Sequence, residues 1–173
     1  MSGLDVILSG TMVAQTVRMT IPYACAGLGG VLSERSGVVN IALEGILLSS
    51  ALTAVAVQGA THQSVLGIAA GVLCGAFVGL VHSLFVVRGR VDAIVSGLAI
   101  NLIAAGGTRF ALRALYGSSS NSPSVQGLGF GEEWGLFLRT IADPFLLLTI
   151  ASAGAIAFLL RRTRFGLRLR ACG

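Results

Sequence analysis

The chain has 173 residues, of which 54% are hydrophobic and only 11% charged, and its mean hydropathy of +0.87 lies outside the usual range of soluble domains. All 12 basic residues are arginine, set against seven acidic residues. They are scattered among apolar runs and gathered near the C-terminus, a pattern of topology signals and not of a face that tracks phosphates, so nucleic acid is not expected as a partner. Cys25, Cys74 and Cys172 form no CxxC pair and two of them sit inside apolar runs, which indicates neither a disulfide framework nor a zinc site.

No positive charge precedes the first apolar run, and Pro22-Tyr23-Ala24-Cys25 is a poor lipoprotein cleavage box. The segment therefore reads as a retained helix and not a signal peptide. A helix needs about 20 apolar residues to span the hydrocarbon, and stretches 6–32, 38–58, 64–87, 93–116 and 142–160 approach or exceed that length. The expected fold is all-α, a polytopic transmembrane helical bundle forming a single transmembrane domain over residues 1–173.

Orientation follows from the arginines. Arg161, Arg162, Arg164, Arg168 and Arg170 crowd the end of the last stretch, and Arg88 and Arg90 fill a tight turn, so both clusters are expected in the cytoplasm. Residues 161–173 then form a cytoplasmic basic tail and 117–140 an extracytoplasmic loop, in which Trp134 and Phe137 suit a membrane interface beside Glu132 and Glu133. Five plain crossings place the N-terminus outside, whereas a cytoplasmic N-terminus requires a sixth crossing or a re-entrant segment. Five to six crossings are thus expected, with a broken segment in the first 60 residues, where Pro22, Gly27, Gly29, Gly30 and Gly37 interrupt the apolar pattern. Irregular backbone at membrane depth is tolerated only where protein or a water-filled cavity covers it.

The third stretch carries a packing code. Gly67, Gly71, Gly75 and Gly79 recur every four residues and Ser83 continues the series, a small-residue stripe that suits close approach of a neighbouring helix. Ala151-Ser152-Ala153-Gly154-Ala155 thins the last stretch in the same way.

Polar groups inside apolar runs are the candidate functional residues, because each is costly at membrane depth unless it meets a partner or a cavity. Asn40 and Glu44, at helical spacing i and i+4, would share one face. That face either lines a polar pathway and braces helices or lies at the interface near the Ser33–Gly37 loop. Asn101 has two readings of equal weight, a hydrogen bond to a sugar or nucleobase and a hydrogen bond to a neighbouring helix backbone. Arg109 and Arg113 read as snorkelling side chains, and Arg18 pairs with Glu44 or Glu34 or snorkels. His62 and His82 have no partner at metal-ligand spacing, so neither metal nor cofactor is expected. Ser96 with His82 is the only pairing an intramembrane protease would need, and it is a generic coincidence in a chain with this much serine; no catalytic residue is assigned.

The run Gly29-Gly30-Val31-Leu32-Ser33-Glu34-Arg35-Ser36-Gly37-Val38-Val39-Asn40-Ile41-Ala42-Leu43-Glu44-Gly45 resembles the signature of inner-membrane permease subunits of ABC importers for simple sugars and nucleosides, the group that includes ribose and branched-chain amino-acid permeases. Two further stretches, Val95 to Leu102 and Arg162 to Ala171, agree with it, so the resemblance covers nearly the whole chain. It implies a bacterial or archaeal inner-membrane protein with a cytoplasmic N-terminus, paired with an identical or related permease subunit. Separate ATPase subunits and an extracytoplasmic solute-binding protein would complete the system. Permeases of that family continue beyond this point into a cytoplasmic coupling helix and further spans, so the resemblance implies the front part of a permease. The chain has no phosphate-cradling GxxxxGK[ST] loop. Its sparse charge suits a neutral, hydroxyl-rich solute moved by alternating access. A non-transport scaffold would leave Asn40, Glu44 and Asn101 without a role, and an intramembrane enzyme would need a catalytic pair.

Overall fold

The computed structural model describes residues 10–125 and 143–172. Glu132, Glu133, Trp134 and Phe137, with positions 126–140 of the expected outer loop, lie outside the described residues. Every regular element among the described residues is helical: α1 (Gly10–Glu34), α2 (Leu43–Thr61), α3 (Ser64–Ser83, prolonged by a π-helical turn Leu84–Arg88), α4 (Ala93–Tyr116), α5 (Pro144–Arg162) and α6 (Arg164–Cys172). Helices α2, α3, α4 and α5 are long and apolar enough to cross a membrane. Helix α1 has the length, at 25 residues, but carries Gln15, Thr16, Arg18 and Thr20 in its first half and is not among those four.

The helices group into two compact units, α1 with α5 and α6, and α2 with α3 and α4. In the first, α1 runs unbroken through Pro22, Gly27, Gly29 and Gly30, contrary to the expectation that they interrupt it. Proline removes one ladder bond, a loss that membrane helices tolerate when nearby hydroxyls and helix adjustments compensate. The irregular backbone expected in the first 60 residues falls at 35–42, between α1 and α2, and includes Gly37, the last of the five named positions.

Packing of α1 on α5 also corrects the partner expected for Arg18. Its Nε lies 3.8 Å from Oδ2 of Asp143. Asp143 caps α5 as well, accepting from the Phe145 N–H at 2.9 Å. Because the Arg18 side chain is 58% exposed, the pair adds at most about 1 kcal/mol. Deeper along the same contact, Cys25 Sγ and Thr149 Oγ1 share a 3.1 Å hydrogen bond.

The second unit is built on the glycine stripe. Helices α2 and α3 join through a two-residue turn, with His62 in the left-handed region, so they run antiparallel. A Cβ placed on Gly67 would stand 2.8 Å from both the Ala54 carbonyl oxygen and Gln58 Cβ; on Gly71, 3.0 Å from Ala54 Cβ and the Ser50 carbonyl; on Gly75, 2.6 Å from Ser50 Oγ; on Gly79, 3.9 Å from Ile46 Cδ1. Ile46, Ser50, Ala54 and Gln58 repeat every four residues, so α2 presents its own four-residue row to the stripe. The helices approach backbone to side chain at the Gly67 end and open to ordinary contact at Gly79. In hydrocarbon, where apolar surface gains nothing by leaving lipid, this close approach is what holds a helix pair together.

The gradient gives an expected order of tolerance. Gly67→Ala and Gly71→Ala force α2 and α3 apart and should cost about 1–3 kcal/mol, read as a lower melting temperature of the detergent-solubilised chain. Gly79→Ala meets no crowding and should be neutral or slightly stabilising through its better helix propensity. Leu73→Ala, at a side chain 70% exposed, should also be tolerated. Equal melting temperatures for Gly67→Ala and Gly79→Ala would contradict the close approach.

Candidate functional site

The sequence candidates converge on the start of α2. Helix α2 opens at Leu43 behind Ala42, which is fully buried and offers no side-chain cap, and its first helical bond runs from the Ile46 N–H to the Ala42 carbonyl at 3.0 Å. The N–H groups ahead of that bond need partners from elsewhere. Asn101, on α4, supplies one: its Oδ1 accepts from the Gly45 N–H at 2.8 Å, while its Nδ2 donates to the Ile41 carbonyl at 2.8 Å. Asn40 supplies another, its Oδ1 accepting from the Ala42 N–H at 3.0 Å.

Two glycines allow this geometry. A Cβ on Gly97 of α4 would lie 2.8 Å from Ile41 Cβ and 3.0 Å from the Ala42 nitrogen, and one on Gly45 of α2 would lie 3.0 Å from Asn101 Oδ1 and from the Ile100 carbonyl. Both glycines are buried. Asn101 sits two helical turns inside α4, about 12 Å from its start at Ala93. The non-helical backbone before α2 therefore lies alongside the body of α4, and α4 covers it and bonds to it.

Asn40 and Glu44 do not share a helical face, as their spacing had suggested. Helix α2 begins at Leu43, so Asn40 lies ahead of it in a turn, where short polar side chains compete successfully for local backbone groups. Glu44 stands in the first turn of α2, where the helix dipole favours a carboxylate. It is exposed. Gly45 and Gly97 were not nominated from sequence, although both lie in the quoted motifs; a glycine shows its role only through the backbone it lets approach.

His82 and Ser96, a pairing that sequence reading set aside, are in contact. Nδ1 and Oγ share a 3.1 Å hydrogen bond, and the residues are 4% and 6% exposed. His82 Nε2 makes no hydrogen bond among the described residues. Among the described residues no acidic side chain orients the imidazole through Nε2, and the pair is buried, so the geometry ties α3 to α4 and does not activate a nucleophile.

The arginine clusters stand at helix ends. Arg88 closes the π turn and Arg90, with φ of +54°, sits in the α3–α4 turn, both exposed and at the opposite end of α4 from Gly117 and Ser119. Arg161 and Arg162 form the last turn of α5, Arg164 and Arg168 are exposed on α6, and Arg170 lies within that helix. At the Gly117 end an open cavity of about 640 Å³ is lined by Gln58, His62, Ser64, Tyr116 and Ser124. Among the described residues no three His, Cys, Asp or Glu side chains gather as metal ligands would.

Comparison with known proteins gives this arrangement a context. The family model described as branched-chain amino acid transport system / permease component matches residues 12–173. The guanosine ABC transporter permease protein NupQ of Bacillus subtilis is 33% identical over 98% of this chain and 58% of its own length. The nucleoside ABC transporter permease protein NupC of Lactococcus lactis is 32% identical over 94% of this chain and 55% of its own. The putative glucose ABC transporter permease protein TsgC13 of Haloferax volcanii is 29% identical over 96% and 51%. No solved structure matches the chain. The chain spans little more than half the length of these relatives. With nearly all its residues covered by one family model, and with four membrane-length helices to carry it, the chain belongs to the family of permease components typified by branched-chain amino acid transport systems.

Proposed function

We propose that the chain is a membrane-spanning part of the permease of an ATP-driven importer and forms part of the passage for a small neutral solute, a nucleoside or a simple sugar. The observation that carries this reading is the match of residues 12–173 to a permease family, together with relatives named for guanosine, nucleoside and sugar transport. ATP hydrolysis belongs to a separate ATPase chain, and an extracytoplasmic binding protein and a second permease subunit complete the system in the inner membrane. This part of the passage rests on a division of labour between the two kinds of polar residue. Asn101 and Asn40 brace the start of α2, since their amides are engaged with backbone. Glu44, exposed at that helix start, is left as the polar group of the pathway.

This division predicts different failures. In cells that also carry the cognate ATPase and binding protein, Glu44→Gln should lower uptake of labelled guanosine or glucose by a few-fold to about tenfold, the scale of one net hydrogen bond of about 0.5–1.5 kcal/mol, with membrane abundance unchanged. Asn101→Leu strands the Gly45 N–H and the Ile41 carbonyl at about 1–3 kcal/mol each, and should lower abundance in step with uptake. Unchanged uptake in Glu44→Gln would remove Glu44 from the pathway. Full abundance with lost uptake in Asn101→Leu would return Asn101 to it.

Topology is tested separately. In a background with Cys25, Cys74 and Cys172 replaced by serine, cysteines introduced at Arg88 and Arg164 should label only when reagent reaches the cytoplasm, and one at Ser119 from outside. Labelling of Ser119→Cys and Arg88→Cys from the same side would overturn the orientation.

A further inference from the structure

Helix α6 is a second candidate surface, independent of the solute carried and resting only on the placement of α5 in the membrane. Thr163 breaks the chain direction with an extended backbone, φ −110° and ψ 155°, and serves both helices at the corner: its Oγ1 donates to the Leu159 carbonyl at 2.6 Å and accepts from the Gly166 N–H at 3.2 Å. Gly166 is buried and seated on the last turn of α5, where an added Cβ would run into the Leu159 carbonyl and come within 2.6 Å of Leu160 Cα. The corner therefore pins α6 to the end of a membrane-length helix.

What this helix presents is specific. Arg164 and Arg168, one turn apart, are exposed, as are Arg161 and Arg162 just before the corner. Phe165, which shares with Leu169 the side of the helix away from Arg164, is 57% exposed. No acidic residue occurs from Pro144 to Gly173, and none of these four arginines forms an ion pair among the described residues. Snorkelling explains the charge at the end of α5, yet it does not explain a separate short helix that keeps both guanidinium groups and, on another side, an aromatic ring at the surface. A basic amphipathic helix beginning where a span ends lies in the headgroup layer, with apolar side chains dipped into the acyl boundary and arginines among phosphates.

We propose that α6, with the Arg161–Arg162 turn, is a binding surface for anionic phospholipid headgroups in the cytoplasmic leaflet. Each arginine near an anionic surface strengthens binding about fivefold. The test is native mass spectrometry of the full chain in neutral detergent, titrated with phosphatidylglycerol or phosphatidylcholine. Wild type should hold phosphatidylglycerol preferentially, and Arg164→Gln/Arg168→Gln should weaken that binding about thirtyfold while leaving phosphatidylcholine unaffected. Arg164→Lys/Arg168→Lys should retain it, added salt should weaken it, and inorganic phosphate should not compete, since phosphate offers nothing to Phe165. The Lys pair and the salt series decide the matter should the Gln pair fail to fold. Equal binding of both lipids by wild type, indifference to salt, displacement by phosphate, or a loss produced only by Arg109→Gln/Arg113→Gln would overturn the proposal. So would a folded Gln pair that keeps lipid affinity and loses only co-purification with an ATPase chain, which would make α6 a protein-docking surface.

Discussion

A backbone N–H or carbonyl without a partner costs several kcal/mol in hydrocarbon, and the segment ahead of α2 carries such groups alongside the body of α4. Two asparagines meet that constraint, Asn40 from within the segment and Asn101 from α4. Asn101 turns its acceptor to the Gly45 N–H and its donor to the Ile41 carbonyl, an arrangement that fixes the side-chain amide in one orientation and makes α4 the cap of α2. An ordinary N-cap comes from the residue preceding its own helix. Here that place is held by buried Ala42, and the bond to the Gly45 N–H arrives from another helix.

The glycines follow from the same requirement. A side-chain amide is short, and it reaches two backbone groups on a neighbouring helix only if the backbones come close. Gly45 and Gly97 clear that approach at one end of α2, and the Gly67 to Gly75 row clears the approach of α3 along its length. The His82–Ser96 bond joins α3 to α4 near their turn. Helices α2, α3 and α4 are thus tied in each pairwise combination, by glycine contact, by amide capping or by a buried polar pair, and none of these ties relies on expelling water.

Much of the helical layout was legible from composition alone. The stretches expected at 64–87 and 93–116 match α3 with its π turn and α4 to within a residue, because long apolar runs closed by Arg88, Asp92 and Gly117 leave little choice of boundary. The broken segment was legible in kind and in region: of the five positions that interrupt the apolar pattern, Pro22, Gly27, Gly29 and Gly30 stay within α1, while the break lies around the fifth, Gly37, whose φ of +83° is the positive-φ conformation glycine supplies. The pairing of Asn40 with Glu44 failed because a spacing of four carries meaning only inside a helix, and α2 starts between them. The use of Asn101 and the choice of Asp143 over Glu34 for Arg18 depend on which helices are neighbours, which periodicity does not encode.

The central claim is that Asn101 holds the start of α2 from across the helix pair. Hydrogen–deuterium exchange of the purified chain measures it most directly, comparing wild type with Asn101→Leu over peptides covering residues 38–48 and 64–83. The account predicts that protection at 38–48 falls by about tenfold or more, the worth of about 1.4 kcal/mol or more from the stranded backbone groups, while 64–83, anchored by the glycine row, keeps most of its protection. Unchanged exchange at 38–48 in the variant would contradict it.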